Sequence, residues 1–146
     1  MPSANTAVDE SRGGRLTTRS RIVYPPDPKT HFAGPLPHQL EFHRSDAHYR
    51  LLRWGVRGGK TFAGAAEALC AWAEFPGQQG LMFAPTYRMA ETVQKRAFYN
   101  VCRAFKLING FSPIRRYWAG LKIFSMVGGG EIHVCSADDP DKFRGN

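Results

Sequence analysis

The chain is poor in the residues that staple small domains or anchor proteins in membranes. Its 146 residues include three cysteines, Cys70, Cys102 and Cys135. They lie far apart, form no C-x-x-C pair and share no metal-ligand spacing with the five histidines. A disulfide framework is therefore excluded and no structural metal is expected. Each thiol is expected to pack as a small apolar group in a reducing compartment. No stretch approaches the ~20 apolar residues of a membrane span. The opening MPSANTAVDESRGG has no apolar core, so it does not read as a secretory signal. Acid is also scarce: 12 Asp and Glu face 20 Lys and Arg, a net charge of +8. That surplus favours a polyanionic partner, nucleic acid before membrane. A merely basic soluble protein has the same balance, and charge alone does not choose.

What is present is ordinary globular material, 42% hydrophobic and 22% charged, enough for one domain with a core. Residues 1–34 are polar and rich in Ser, Arg, Gly and Pro. Pro25, Pro26 and Pro28 break regular structure. This part reads as a flexible basic arm, whose Arg12, Arg15, Arg19 and Arg21 face solvent or touch phosphates. Residues 35–146 read as the folded part. Pro37 to Ala47 predicts a short helix and Tyr49 to Trp54 a short strand. A glycine turn over residues 55–59 follows, then a helix from Lys60 to Phe75 with Phe62, Ala65, Ala66, Leu69 and Trp72 on one face. Leu81 to Ala84 predicts a buried strand and Arg88 to Phe105 an amphipathic helix. Residues 111–120 show no clear pattern. Leu121 to Met126 and Glu131 to Ser136 predict two strands joined by Gly128-Gly129-Gly130 as a hairpin turn. Strand, glycine turn, helix, strand, helix is a βαβ-type order. It implies an α/β fold with a parallel sheet covered by helices.

The chemistry concentrates in Trp54-Gly55-Val56-Arg57-Gly58-Gly59-Lys60-Thr61. Glycines let backbone N–H groups converge on an anion, and a helix N-terminus adds partial positive charge. In a phosphate loop Lys60 would reach the terminal phosphates of ATP, and the Thr61 hydroxyl would ligate Mg²⁺. The usual form is G-x-x-x-x-G-K-[ST]. Here Trp54 stands where the first glycine is usual, and Gly55 arrives one residue late. The bland alternative is a glycine turn capping a helix. Gln39, ahead of the loop, carries an amide that can both donate to and accept from an adenine edge, or simply be solvated. Arg57 can stabilise charge that develops in phosphoryl transfer, or point into solvent.

These residues together resemble the ATPase of the phage terminase large subunit, the motor that packages viral DNA. The match runs over Gln39, the loop Gly55-Val56-Arg57-Gly58-Gly59-Lys60-Thr61, the step Ala84-Pro85-Thr86-Tyr87, and Gly129-Gly130-Glu131-Ile132 entering the last strand. It closes on the run Ser136-Ala137-Asp138-Asp139-Pro140-Asp141-Lys142-Phe143-Arg144-Gly145, the most specific element. The resemblance implies a P-loop NTPase-type sheet and ATP with Mg²⁺ as cofactors. Gln39, Gly55, Gly58, Gly59, Lys60 and Thr61 would hold nucleotide, Thr61 would hold the metal, and Arg57 would sense the γ-phosphate. It also implies double-stranded DNA, a portal protein and a small terminase subunit as partners, a homo-oligomeric ring, and a place in the host cytoplasm and on the procapsid.

In the family a later strand ends in Asp-Glu, and a nuclease domain follows. Asp138, Asp139 and Asp141 do not match that strand end, so this chain is expected to bind nucleotide rather than hydrolyse it. Two other readings stay open: a helicase-like nucleic-acid ATPase, and a non-enzymatic fragment with weak nucleotide binding. A sheet short of strands would leave an edge unpaired and apolar surface exposed, favouring self-association. Candidates for contact with DNA phosphates are Arg88, Lys95, Arg96, Arg103, Arg115 and Arg116; a solvated helix face explains any one of them equally.

Overall fold

Alanine-rich and alternating segments divide the chain cleanly into helices and strands. The computed structural model describes residues 34–138. The arm, apart from its last residue, and the closing run from Asp139 onward lie outside the described residues. Helix α1 spans Pro37–Arg44, with proline at its first position, where no N–H is needed. Helix α2 spans Lys60–Glu74 and is built largely from alanine, the best helix former. It gives way at Phe75, followed by Pro76 and by Gly77 with φ +89°. Strand β1, Gln79–Ala84, leads through Pro85 into a second helical run. That run comprises α3 (Tyr87–Met89), a π-helical turn (Ala90–Gln94) and α4 (Lys95–Asn109). It ends at Gly110, whose left-handed φ of +79° lets its N–H reach the Lys106 carbonyl at 2.8 Å.

The remaining strands are β2 (Ile114–Trp118), β3 (Ile123–Met126) and β4 (Glu131–Ser136). The sheet order is β1-β4-β3-β2. Strands β1 and β4 run parallel, with Met82 opposite Val134. The β3–β4 hairpin and the β2–β3 pair are antiparallel. The expected α/β class holds, but the sheet is mixed: one of its three pairings is parallel. The glycine hairpin forms as expected, with Gly128 and Gly129 at φ +91° and +93°. Strand β2 was not foreseen. Its Ile114-Arg-Arg-Tyr-Trp sequence alternates poorly, and its pairing with β3 carries a register shift between Ile114 and Arg116.

Pleating sends Met82 and Ala84 of β1, Ile132 and Val134 of β4, and Phe124 and Met126 of β3 into one core. They meet Ala65, Ala66 and Leu69 of α2 and Ala97, Phe98 and Val101 of α4. Phe98, Phe124 and Met126 are fully buried. Burying one such side chain contributes on the order of 2–3 kcal/mol. All three cysteines are buried and none forms a disulfide. Burial pushes the Cys102 thiol up to about 12, so it packs as an inert apolar group. The opposite side of β1 is open, with Leu81 and Phe83 about half exposed. The outer edge of β1 pairs with no strand among the described residues.

One expected element is absent. Residues 49–54 have no strand, and Tyr49 and Leu51 are almost fully exposed. β-propensity in Tyr-Arg-Leu-Leu is insufficient by itself, because a strand exists only through hydrogen bonds to a neighbour. Here no described strand lies alongside.

Candidate phosphate-binding site

Helix α2 runs from the glycine loop back to the start of β1. The loop therefore sits near the carboxyl ends of β1 and β4, the side of an α/β sheet where ligands are usually held. The same edge carries two further tethers. Asp138, just past β4, accepts the Tyr87 N–H at 3.2 Å, and Ala137 N–H reaches the Ala84 carbonyl at 2.9 Å. The step after β1 and the start of the closing run are thus joined to each other.

The loop itself is tightly turned. Gly58 N–H donates to the Gly55 carbonyl at 3.1 Å. Arg57 takes φ +66°, a left-handed conformation that costs a non-glycine residue on the order of 1 kcal/mol. Gly59 is left-handed at φ +78°, and a Cβ there would meet the Gln39 amide nitrogen at 2.2 Å. A Cβ at Gly58 would lie 2.9 Å from that of Trp54. Gly58 is therefore required by close approach, and Gly59 by close approach and by its left-handed turn. The first intrahelical bond of α2 runs from Ala63 to Gly59. The N–H groups of Lys60, Thr61 and Phe62 precede it, and no side chain caps them. They form an open, partially positive helix end next to the loop.

Lys60 folds back over this turn, its Nζ donating to the carbonyls of Trp54 and Gly55, each at 2.8 Å. The ammonium is held by neutral dipoles alone, and the group is exposed. Among the described residues no carboxylate pairs with it.

Helix α1 braces the loop from behind. Gln39 is buried; its carbonyl oxygen accepts the Leu36 N–H at 2.8 Å and its amide donates to the Gly59 carbonyl at 3.2 Å. His38 Nε2 lies 3.0 Å from the Gly58 carbonyl. The His38 ring also meets Trp54 edge-on, with Phe42 packing on the same indole. Trp54, the departure from the usual loop pattern, is thus the point where the loop is clamped to α1. Sequence reasoning singled out Gln39 and missed His38 and Phe42, because aromatic contacts across 12 to 16 positions leave no local pattern.

On the other side the loop faces α4 across a cavity of about 450 Å³. One wall is formed by Arg57 to Phe62. The other is formed by Thr92, Val93, Arg96, Ala97 and Asn100, one face of the π turn and α4. No acidic residue lines it. Of the sequence-predicted residues, Arg57, Gly58, Gly59, Lys60 and Thr61 come together in this wall. Gly55 lies behind it under the Lys60 ammonium, and Gln39 supports it from α1.

An α/β sheet with a glycine loop opening a helix at the strand ends is the arrangement of the P-loop ATPase class. Comparison with known proteins narrows this. No family model matches the chain. The terminase large subunit of Thermus virus P23-45 is 38% identical over 83% of this chain. That of Thermus phage G20c is 38% identical over 54% of it. Among solved structures, the large terminase ATPase domain of Thermus phage P74-26 superposes with a TM-score of 0.62 at 28% identity, covering 77% of this chain and half of that one. The chain is a relative of the ATPase part of phage terminase large subunits. It spans 28% of the length of the P23-45 protein and 17% of that from G20c.

Proposed function

We propose that this chain is the nucleotide-gripping part of a DNA-packaging terminase, binding ATP with Mg²⁺ at the loop of residues 55–61. One observation carries the reading: the Lys60 ammonium rests on two loop carbonyls beside three uncapped helix amides, in a cavity with no acidic lining. A triphosphate meets that need. Lys60 would exchange two neutral acceptors for phosphate oxygens, and charge-assisted bonds are about twice as strong as neutral ones. Thr61, at the second helical position, offers its hydroxyl to the metal. Mg²⁺ would supply charge neutralisation between neighbouring phosphates. Arg57, exposed and already held in its left-handed turn, would contact the γ-phosphate. Gln39 would act chiefly by fixing Gly59, with adenine taking whatever amide capacity remains.

In the longer protein to which it is similar, this site would serve ATP-driven movement of double-stranded DNA in the host cytoplasm, with the portal, the small terminase subunit and a subunit ring as partners. The exposed Arg88, Arg103 and Arg115 suit contact with DNA phosphates. Lys95 suits it less, being paired with Glu91 at 2.7 Å, and Arg116 stacks on Trp118 at 4.2 Å. The helicase-like reading has no comparison in its favour. The weak-binding reading draws support from the missing strand at 49–54, which leaves the loop's leading side unbraced by sheet.

Titration calorimetry with ATP and Mg²⁺ on wild type and Lys60→Ala tests the site. Equal affinity in the two proteins would remove the assignment.

A further inference from the structure

Arg96 reads from the sequence as one more cation on a solvated or DNA-facing helix. The fold adds a more specific setting. It projects from the start of α4 into the wall of the loop cavity, opposite Arg57 and Lys60. The preceding residue, Lys95, is committed: its ammonium bonds Glu91 and lies 4.5 Å from the Tyr117 ring centroid. Arg96 is exposed and makes no hydrogen bond, ion pair or ring contact among the described residues. Three cations thus surround one cavity of about 450 Å³ whose other polar side chains, Thr61, Thr92 and Asn100, are uncharged. Like charges gathered without a counter-ion repel one another, and the arrangement is relieved when an anion enters. The π-helical turn immediately before Arg96 contributes Thr92 and Val93 to the same wall, and such turns recur at functional positions.

We infer that Arg96 is a phosphate-binding residue of the loop cavity, contacting the terminal phosphate of a bound nucleoside triphosphate from the α4 side. The inference rests on the nucleotide reading of the loop. It adds a second wall to that site, so that the helix following β1 reports whether the third phosphate is present. A guanidinium suits the role because its planar fork can span two phosphate oxygens, which a lysine cannot do. Asn100, one turn further along α4, lies where a neutral donor can join it.

The test is calorimetry of the whole chain with ATP·Mg²⁺ and ADP·Mg²⁺, on wild type, Lys60→Ala, Arg96→Ala, Arg96→Lys and, as a control away from the cavity, Lys106→Ala. Circular dichroism checks that each variant is folded, and as an exposed residue Arg96 should be dispensable for folding. Loss of one charge-assisted contact is expected to weaken ATP by about tenfold in Arg96→Ala while ADP changes by less than about twofold. Arg96→Lys should lie between, and Lys106→Ala should match wild type. If Lys60→Ala weakens ATP but Arg96→Ala leaves it unchanged, the role of Arg96 is wrong and the loop reading stands. Equal weakening of ATP and ADP by Arg96→Ala overturns contact with the terminal phosphate. Absence of ATP binding by wild type, or no effect of Lys60→Ala, overturns the loop reading and this one with it.

Discussion

Two groups of basic side chains in this molecule have opposite surroundings. Under α1, Arg50 and the buried His43 converge on one carboxylate, Glu67, with His43 Nδ1 at 2.6 Å and the Arg50 guanidinium on the other oxygen. Around the loop, Arg57, Lys60 and Arg96 share a cavity without a single acid. In the first group each basic side chain meets an oxygen of the same carboxylate, and its position is explained by holding α1 against α2. The second is open and unbalanced, and folding alone does not account for it. A positive charge with its counter-ion inside the fold serves stability. Cations that line one cavity without an acid leave room there for an anion.

The sharpest way to break this contrast is a pair of substitutions read on two scales. Lys60→Ala should cost about 100-fold in ATP affinity, the value of a strong charge-assisted contact, yet change stability by less than about 0.5 kcal/mol. Glu67→Gln should do the reverse. It leaves His43 and Arg50 without their carboxylate, at a cost of about 2 kcal/mol in urea unfolding, and should leave ATP affinity within about twofold. If the two variants affect both quantities alike, the division between structural and ligand-directed cations fails.

Acid titration sharpens the same comparison. Burial pushes the Glu67 carboxyl up, but the bonds from His43 and Arg50 outweigh it and hold the group below its ordinary 4.5. A carboxyl with a lowered folded value stabilises fully above its unfolded value, and that stability drains away as pH falls through the folded one. Wild type should therefore lose stability below about pH 4.5, and Glu67→Gln should show a flatter acid limb there. An identical slope in both proteins would mean that the Glu67 cluster holds nothing together.

Gly59 links the two regions, since Gln39 of α1 sits where its Cβ would be. Gly59→Ala must relieve a 2.2 Å approach and adopt φ +78°. The expected cost is about 1–2 kcal/mol of stability, with a loss of ATP affinity as Gln39 is pushed from the loop. Gly64→Ala is the companion, because a Cβ there meets nothing within 4 Å. It should be neutral or slightly stabilising. A Gly59→Ala protein with unchanged stability and affinity would show that the α1 brace is incidental.

The sequence made some of this legible and hid the rest for identifiable reasons. Helix α2 and the β3–β4 hairpin were readable because alanine content, the 3.6-residue period and the three glycines agree locally with the fold. The loop was readable because its chemistry lies within eight consecutive residues. The strand predicted over residues 49–54 did not form, since its partner is not encoded in its own residues. Strand β2 was hidden because it pairs across a register shift, and Arg115 and Arg116 mask its alternation. Arg96 could not be told apart from Lys95 in the sequence: both sit on one amphipathic helix, and only the fold shows that one meets Glu91 while the other lines the loop cavity.

That neighbouring pair also gives the smallest effect and a strict test. Glu91 precedes Lys95 by one helical turn, in the favourable orientation, and also accepts from the Tyr117 hydroxyl at 3.4 Å. Half-exposed pairs of this kind are worth about 0.3–0.5 kcal/mol, so Glu91→Gln should lower stability by about that much. The hydrogen bond to Glu91 raises the Lys95 ammonium above its ordinary 10.5. A raised folded value means the contribution is complete below pH 10.5 and disappears as pH climbs through the higher value. The difference between wild type and Glu91→Gln should therefore be constant at neutral pH and close in strong alkali. Glu91→Gln also releases Lys95 next to the loop cavity without adding a charge to its wall. If Lys95 stays on Tyr117, ATP affinity holds; a gain in affinity would show that Glu91 restrains a fourth cation that the site can recruit.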